Sequence, residues 1–391
     1  MRGDTGMRLR YGLNPQQSTA YAVPVDPDRV PLRVLQGQPS YINVLDALNG
    51  WQLVREAERT LGLPAAASFK HVSPAGVAVA GPVDEAAARP HGVDPASVGA
   101  LTGAYLRARD ADPKSSYGDF VAVSHEVDQE LAELLTRVVS DGIVAPGYAP
   151  GVLETLAKKK NGRFLVMEAD PGFEPPASES REVFGLRLSQ DRDRVPLGPE
   201  VLTDVPVGTL TDEARADVLL GLAVLRFTQS NSVCYVRGGQ TLGIGAGQQS
   251  RVDCTRLAGA KTDTWWLRRH PLVQELDFLP GVRRQDRVNW RIRLVEGDLT
   301  ADERDRLRAS VTAEPGEPTP GERAAWLARL TGVSFVSDGS LPFRDNVDHA
   351  HRHGVTTIAE PGGSIRSGEV EDACRELGVT LARTGLRLFH H

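Results

Sequence analysis

Apolar runs of strand length alternate with amphipathic stretches of helical period along most of this chain. The strand-like runs are residues 64–72, 119–125, 142–148 and 241–247, and the helical stretches are residues 43–61, 129–140 and 212–228. Strands that alternate with helices are typical of an α/β fold built from packed layers. Because 391 residues exceed what one ordinary core accommodates, the length predicts two domains or one large two-lobed unit.

The composition excludes several classes of protein. Hydrophobic residues make up 40% and charged residues 25% of the chain, the balance of a soluble globular protein. A formal net charge of −6 argues against a general nucleic-acid binder, because such proteins are basic. No apolar run reaches the length of about eighteen residues that a membrane span needs, and residues 1–10 lack the apolar segment of a signal peptide. The sequence therefore predicts a cytoplasmic protein that binds neither nucleic acid nor membrane.

Cysteine and histidine patterns predict no metal site. Cys234, Cys254 and Cys374 are scattered and form no CxxC pair, which fits a reducing compartment. Residues 349–353 (HAHRH) carry metal-ligand residues at i and i+4, but no carboxylate or cysteine stands at a matching spacing. A polar helix face is the favoured interpretation of this segment.

Three other segments are expected to be surface features. Residues 81–95 and 314–321 are rich in Pro and Gly and predict weakly structured loops. The basic run at residues 158–160 has no basic and aromatic flanks of the kind that bind nucleic acid, so a solvated helix end is expected there.

The segment FKHVSPAG (residues 69–76) places two chemically useful side chains at the end of a strand. Adjacent residues inside a strand point to opposite faces, so Lys70 and His71 reach one pocket only from a strand end or a turn. Together they supply a cation and an imidazole, the side chain that most often exchanges protons near neutral pH. Taken alone, a partly exposed polar strand end is an equally good interpretation.

Other polar segments flank predicted strands and turns. Asp141, before Gly142, either holds a ligand hydroxyl or caps a turn. In residues 228–251 a polar run breaks a helix, a Gly238-Gly239 turn follows, and further glycines allow close backbone approach before a helix begins at Arg251. The GIGAG spacing within this segment is not a dinucleotide fingerprint. Residues 361–370 (PGGSIRSGEV) indicate either an anion or carboxylate site before a helix or a simple tight turn.

Taken together, these segments resemble the formyltransferase half of the bifunctional purine enzyme AICAR transformylase/IMP cyclohydrolase. The resemblance covers Arg10 to His391 in order, through RYGLNPQQ, FKHVSPAG, SSYGDFVAVS, VSDGIVAPGY, LAKKKNGRF, TQSNSVCY, GIGAGQQSRVDCTRLAG, WWLRRHP, PFRDNVD and TGLRLFHH. The cyclohydrolase half precedes the RYG motif in the bifunctional enzyme and has no counterpart here. The resemblance therefore implies a stand-alone form without the ring-closing activity.

The fold implied by this resemblance is a duplicated cytidine-deaminase-like unit, each copy a three-layer α/β/α arrangement. Residues 1–197 would form the first lobe with the Lys-His motif, and residues 198–391 the second lobe with Asn231 and the folate-side motifs. Zinc deaminases of that fold need HxE and PCxxC ligand motifs. Val72 and Ser73 follow His71, and no PCxxC occurs, so the fold is expected without zinc. The family is dimeric, which implies a homodimer with active sites shared at the interface.

The activity implied is transfer of the formyl group of 10-formyltetrahydrofolate to the 5-amino group of AICAR, giving FAICAR. By resemblance, His71 accepts the amine proton, Lys70 stabilises the oxyanion or protonates the leaving nitrogen, and Asn231 orients the reactants. The residues implied in nucleotide binding are Arg10, Tyr11, Gly118, Asp141, Asn231, Ser340 and Arg387. Those implied in folate binding are Arg251, Val252, Phe343, Asp345 and Ile365. Some relatives also carry a monovalent cation such as potassium, which would lie near Asp338 and the C-terminus.

One departure from the family pattern leaves the substrate open. Ser340-Leu341 stands where the family has an aromatic pair before PFRD, and the aromatic side chain replaced by Ser340 packs against the nucleotide. Such stacking contributes about 0.5–1.5 kcal/mol beyond area burial. Ser340 and the missing cyclohydrolase half motivate one alternative, the same formyl transfer on a different heterocyclic ribonucleotide in a specialised pathway. A second alternative is a non-catalytic regulator that binds the nucleotide, although the intact Lys70, His71 and Asn231 speak against it.

Overall fold

The computed structural model describes residues 6–391. Residues 1–5, which belong to the stretch examined for a signal peptide, lie outside the described residues. The strands and helices of the first half are β1 (Met7–Arg8), β2 (Tyr21–Ala22), β3 (Leu32–Gln36), α1 (Tyr41–Leu61), β4 (Ala65–Lys70), β5 (Ser73–Val79), α2 (Glu85–Ala88), α3 (Ala100–Ala111), β6 (Asp119–Val123), α4 (Gln129–Arg137), β7 (Ser140–Ala145), α5 (Val152–Ala157), β8 (Leu165–Ala169), β9 (Ser178–Val183) and β10 (Leu186–Asp191).

The second half repeats much of this order. Its elements are β11 (Asp204–Val207), α6 (Asp212–Arg226), β12 (Val233–Val236), β13 (Thr241–Gly245), α7 (Arg251–Leu267), α8 (Pro271–Gln274), α9 (Arg284–Glu296), α10 (Ala301–Arg308), α11 (Pro320–Leu327), β14 (Val333–Ser337), α12 (Asp345–His351), β15 (Val355–Glu360), α13 (Ser367–Leu377) and β16 (Thr380–Arg383). None of the helices in residues 6–391 is long and apolar enough to span a lipid bilayer.

Two six-stranded sheets have the same topology. Their strand orders are β3-β8-β7-β6-β4-β5 and β11-β16-β15-β14-β12-β13. In both sheets the second to fourth strands are parallel, and the remaining pairs are antiparallel. The prediction of an α/β chain with two repeated units is confirmed.

Helices cover both faces of each sheet. One hydrophobic core is shared by the two repeats and contains the apolar faces of α1 and α6. The opposite face of the first sheet packs against α3 and α4, and that of the second sheet against α7, α12 and α13. Central strands such as β6 are buried along their whole length, which explains their continuous apolar sequence. Helices α8 to α11 are an insertion between α7 and β14 with a small core of its own.

The two sheets meet at their edge strands, β5 and β13. Ala78 forms an antiparallel bridge with Gln240, and the Val79 amide donates to the Gly239 carbonyl over 2.9 Å. Buried Arg107 adds a bond of 3.2 Å to the Gln240 side chain and further bonds to the Val79 and Gly238 carbonyls. The backbone groups at the edge strand of each repeat therefore form hydrogen bonds with the other repeat, so neither edge strand is left unpaired there.

The prediction of a solvated helix end at residues 158–160 is wrong for its central residue. Lys159 is buried, and its Nζ donates to Ser140 Oγ over 2.6 Å, to the Val138 carbonyl over 2.8 Å and to the Leu135 carbonyl. Burial lowers the pKa of Lys159 to about 7. The carbonyls left unpaired at the end of α4 attract this ammonium group, a long-range contact that the sequence does not indicate.

The loop predicted at residues 81–95 is also more ordered than expected. It contains α2, capped by the Asp84 side chain, and a short 3₁₀ helix at Arg89–His91. Residues 314–321 lack regular structure up to Pro320, where α11 begins.

Candidate functional site

The β4–β5 hairpin holds the Lys-His pair in an unusual backbone conformation. Lys70 is the last residue of β4 and pairs with Ser73, so His71 and Val72 alone form the turn. Both turn residues have positive φ, +54° and +62°. Turns of this kind strongly prefer Asn and Gly, and a β-branched residue there is sterically disfavoured. The turn also takes His71 out of the alternation of the strand.

The second repeat contains the same turn built from glycine. Gly238 and Gly239 connect β12 to β13 with φ of +60° and +73°. Asp46 and Asp217, each the sixth residue of its helix, hold the two turns: Asp46 accepts from the Val72 amide over 2.7 Å, and Asp217 from the two glycine amides over 2.9 and 2.6 Å. The repeats therefore share the geometry, but only the first accepts strained residues. Backbone strain of this kind concentrates at functional sites, which indicates that the His71-Val72 turn belongs to a functional site.

Replacing a strained residue of the His71-Val72 turn with glycine should change the free energy of unfolding. We expect Val72→Gly to raise the free energy of unfolding by about 1 kcal/mol, because left-handed backbone costs a non-glycine residue about 1–2 kcal/mol. The comparison is Gly238→Val at the first residue of the second turn, where a side chain meets open space and the positive φ alone should cost a similar amount. Urea unfolding of both variants gives the two values, and a loss of stability in Val72→Gly would show that the turn is not strained.

Asp46 is a site residue that sequence reasoning missed. Its side chain is buried on α1, and burial raises its pKa to about 6, although the Val72 amide and the nearby His71 act in the opposite direction. An acidic residue on the apolar face of a predicted amphipathic helix was the available signal. Asp46 therefore positions the hairpin and places an unusually weak carboxylic acid beside His71.

The raised pKa of Asp46 gives a pH-dependent stability. A carboxyl whose folded pKa lies above its unfolded value stabilises the fold at low pH, and this stabilisation is lost as pH rises from about 4 through about 6. Asp46→Asn keeps an oxygen for the Val72 amide but does not titrate. We expect its stability relative to the native chain to increase by up to about 3 kcal/mol between pH 4 and pH 7.5 in urea unfolding. Exposed Asp372→Asn is the control, and a constant difference across this pH range would contradict the assignment.

Lys70, Gly118 and Asp141 come together beside the hairpin. The Lys70 ammonium donates to the Tyr117 carbonyl. Gly118 has φ of +76°, and a Cβ there would lie 3.9 Å from Lys70 Nζ and 4.0 Å from Asp141 Oδ1. Lys160, which the sequence analysis placed at a solvated helix end, pairs with Asp141 at 2.6 Å. A glycine between an ammonium and a carboxylate leaves room for a small polar ligand.

Arg10 and Tyr11 lie at the beginning of α1. The Tyr11 carbonyl accepts from the Tyr41 amide over 3.1 Å, and Arg10 donates to the Tyr11 hydroxyl over 3.0 Å. Asp46 follows Tyr41 by five residues on the same helix, a rise of about 8 Å. The RYG segment is thus attached to the helix that holds the Lys-His turn.

Asn231 is held in a network of the second repeat. Its Nδ2 donates to the carbonyls of Gln248 and Gln249 over 2.9 and 3.1 Å, and its Oδ1 accepts from Arg251 over 2.8 Å. Arg251 is almost fully buried and also pairs with Asp338. The guanidinium predicted to contact folate therefore has internal partners, and it fixes the orientation of the Asn231 amide.

Asp338 organises the chain around Asn231. Its buried carboxylate accepts from Ser230 Oγ over 2.6 Å and from the Ser232 amide over 2.9 Å, and its carbonyl accepts from the Leu388 amide over 2.9 Å. The Ser230 amide donates to the His390 carbonyl over 3.0 Å. The C-terminal segment is thus tied to the residues on either side of Asn231. Arg387, exposed, stacks its guanidinium on Phe389 at 4.8 Å.

A contact between the repeats brings the two parts of the site together. The Gln229 amide lies 3.5 Å from Ser73 Oγ, at hydrogen-bond distance. Ser73 ends the Lys-His turn, and Gln229 precedes Asn231 by two residues. The candidate site is therefore the junction of the β4–β5 hairpin with residues 229–231.

The residues predicted to bind folate gather on the second repeat. Val252 and Asp345 lie in the first turns of α7 and α12, which are joined by a 3.2 Å bond between Thr255 and Asn346. Ile365 is fully exposed, and Arg366 stacks on Phe343 at 5.1 Å. Within the described residues, no hydrogen bond or ion pair links this group to Lys70 or His71, and its role stays a prediction.

Ser340 and the histidine-rich segment have local partners. Ser340 Oγ donates to the Gly362 carbonyl. His353 Nδ1 lies 2.7 Å from Asp263, and His349 Nε2 lies 3.1 Å from Arg256 Nε. In the part of the chain that the structure describes, no three His, Cys, Asp or Glu side chains are grouped as metal ligands.

Comparison with known proteins gives the family. Residues 1–261 match the sequence profile described as the AICARFT/IMPCHase bienzyme. The chain belongs to this family. Its relatives include the "Bifunctional purine biosynthesis protein PurH" of Roseobacter denitrificans, 32% identical over 394 residues, and that of Aquifex aeolicus, 32% identical over 387 residues. The alignments cover 100% and 98% of this chain but 60% and 59% of those proteins. The chain thus spans about 60% of the length of these AICARFT/IMPCHase relatives.

Proposed function

We propose that this chain is a formyltransferase that moves the formyl group of 10-formyltetrahydrofolate to the 5-amino group of AICAR, giving FAICAR. The observation that carries the proposal is the strained His71-Val72 turn, which follows Lys70 and lies beside residues 229–231. Membership of a purine biosynthesis enzyme family supports the substrate class.

The reaction requires help at three atoms. The 5-amino lone pair is delocalised into the imidazole and its carboxamide, so a base must remove a proton as the amine attacks. The formyl oxygen becomes an oxyanion that needs a donor, and the folate nitrogen must leave protonated.

The residues at the junction suit these roles. In our proposal His71, exposed in its turn, accepts the amine proton, acting through the substrate carboxamide. Lys70 stabilises the oxyanion and then protonates the leaving nitrogen. Asn231, whose amide is held by Arg251, orients the formyl group and the amine.

The remaining assignments are proposals of the same kind. The nucleotide would lie against Arg10, Tyr11, Gly118, Asp141 and Arg387, since arginine fits phosphate oxygens in pairs. Folate would lie against Val252, Phe343, Asp345 and Ile365, supplied by a second copy of the chain in a homodimer. We further propose that each repeat is a cytidine-deaminase-like unit, that a monovalent cation binds near Asp338, and that the protein acts in the cytoplasm.

The direct test is an assay of the purified protein with AICAR and 10-formyltetrahydrofolate. Folate absorbance follows formyl transfer, and chromatography separates FAICAR from any cyclised product. We expect FAICAR to accumulate without IMP. Absence of formyl transfer at saturating substrates would reject the proposed activity, and formation of IMP would reject the expected lack of cyclohydrolase activity.

A second candidate is formyl transfer to a different heterocyclic ribonucleotide. Ser340 favours it, because its hydroxyl bonds to the Gly362 carbonyl and presents no aromatic face to a nucleotide. The value of kcat/KM for AICAR compared with pyrazole and imidazole analogues separates the candidates. AICAR as the best substrate would reject this second candidate.

A further inference from the structure

An arginine cluster lies where the α8–α11 insertion packs against the first repeat. Arg284, Arg287 and Arg291 are spaced three and four residues apart on α9 and share one face of that helix. Arg89 belongs to the 3₁₀ helix Arg89–His91, and Arg137 is the last residue of α4. None of these five residues belongs to the proposed nucleotide or folate site.

Backbone contacts bring four of the five arginines together, and Arg287 shares the α9 face of Arg284 and Arg291. Arg89 and Arg291 both donate to carbonyls of α8, that of Gln274 over 2.9 Å and that of Val273 over 3.3 Å. Arg284 donates to the carbonyl of Arg137 over 3.2 Å. The cluster therefore joins α9, α8, α4 and the 3₁₀ helix.

The positive charge of this cluster is not neutralised within residues 6–391. The guanidinium groups with hydrogen bonds donate to backbone carbonyls, and none of the five takes part in an ion pair within 4.0 Å among the described residues. Burial, together with the like charges of Arg137 and Arg287, lowers the pKa of Arg284. Burial with Arg89, Arg287 and Arg268 nearby lowers that of Arg291 to about 10. These groups repel one another, an arrangement that an anion would stabilise.

The neighbouring carboxylates do not offset this charge. Asp110 is engaged by Arg268 at 2.7 Å and by Arg269 at 2.6 Å. Asp286 lies one residue before Arg287, on the face of α9 that lines a cavity of about 600 Å³ instead. The helix begins at Arg284 without a side-chain cap. Arginine at the positive end of a helix dipole is unfavourable, so α9 adds to the attraction for an anion.

His91 provides a second and independent indication of a ligand. Its Nδ1 is buried and has no hydrogen-bond partner among the described residues. Burial, and then Arg109 and Arg284, lower the pKa of His91 to about 3, so the imidazole is neutral. A neutral imidazole carries one N–H donor, and a buried polar atom without a partner is costly. An anion oxygen within the cluster would supply that partner.

We propose that Arg89, Arg137, Arg284, Arg287, Arg291 and His91 bind a small oligophosphate, a ligand with at least two linked phosphate groups. Guanidinium groups match phosphate oxygens in paired hydrogen bonds, and five cations exceed what one phosphate group neutralises. The ligand class includes pyrophosphate and the tail of a nucleoside di- or triphosphate.

Calorimetric titration of the full chain with pyrophosphate tests this site. Saturating AICAR is present so that the proposed nucleotide site is occupied, and ionic strength is constant. We expect saturable binding, tighter than that of inorganic phosphate, and a loss of at least about ten-fold in the Arg284→Gln/Arg287→Gln variant. Arg137→Gln, at an exposed position, gives the same direction of change if the double variant does not fold.

The matched control removes two charges elsewhere. Arg181→Gln/Arg352→Gln changes exposed arginines outside the cluster and should leave the affinity within about two-fold, since distant exposed charges are screened. An equal loss of pyrophosphate affinity in this control would show that net charge alone explains the effect of the cluster variant. The proposal would be overturned if pyrophosphate showed no saturable binding, or if it bound no more tightly than inorganic phosphate. It would also be overturned if AICAR abolished pyrophosphate binding while the cluster variants left that binding unchanged.

Discussion

Replacing Lys70 with methionine is expected to lower the rate of formyl transfer by about a hundred- to a thousand-fold, since that is the usual cost of losing one oxyanion donor. Loss of the imidazole in His71→Ala should cost about as much, because general-base catalysis contributes about 10²- to 10⁴-fold. Nucleotide affinity should change little in either variant. Single-turnover kinetics and calorimetric nucleotide binding measure the two effects separately.

The control for these variants is Lys158→Met. Lys158 is an exposed lysine outside the junction, and its replacement removes the same charge. Its rate should remain close to that of the native chain. A near-native rate for Lys70→Met or for His71→Ala would remove that residue from the mechanism.

Asp338→Ala is expected to cost the fold about 3–5 kcal/mol, because it leaves the buried Arg251 without its partner charge. It also removes the acceptor shared by Ser230 and the Ser232 amide, so the residues around Asn231 lose their support. Urea unfolding measures the stability, and hydrogen exchange of the C-terminal segment reports the loss of local order.

Asp372→Ala provides the comparison for this change. Asp372 pairs with Arg375 at 2.8 Å, but its side chain is 79% exposed. Exposed pairs contribute about 0–1 kcal/mol. A loss as small as this for Asp338→Ala would show that Asp338 does not organise the second half of the site.

Local patterns in the sequence were sufficient for several elements, but they did not place the turn of the β4–β5 hairpin at His71-Val72. Strands β4, β6 and β7 and helices α1 and α6 lie where apolar periodicity predicted them. The strand predicted over residues 64–72 is too long at its end, because His71 and Val72 form the turn and β5 begins at Ser73. Each of these features depends on neighbours within a few residues.

Contacts between residues distant in sequence could not be predicted from local patterns. Asp46 and Lys159 acquire their roles from groups distant in sequence, the Val72 amide and the carbonyls at the end of α4. The repeat could not be recognised as a shared sequence motif, because equivalent positions differ: the same turn is His71-Val72 in the first half and Gly238-Gly239 in the second. The repeat is evident only from the structure, in the identical strand order of the two six-stranded sheets.

The most direct test of the account is the structure of the protein with AICAR bound. The imidazole carboxamide should lie at the junction, with Lys70 and His71 on one side and Asn231 on the other. The phosphate should face Arg10 or Arg387. A nucleotide bound away from the β4–β5 hairpin, or a His71 ring directed away from the 5-amino group, would contradict the proposed site and its chemistry.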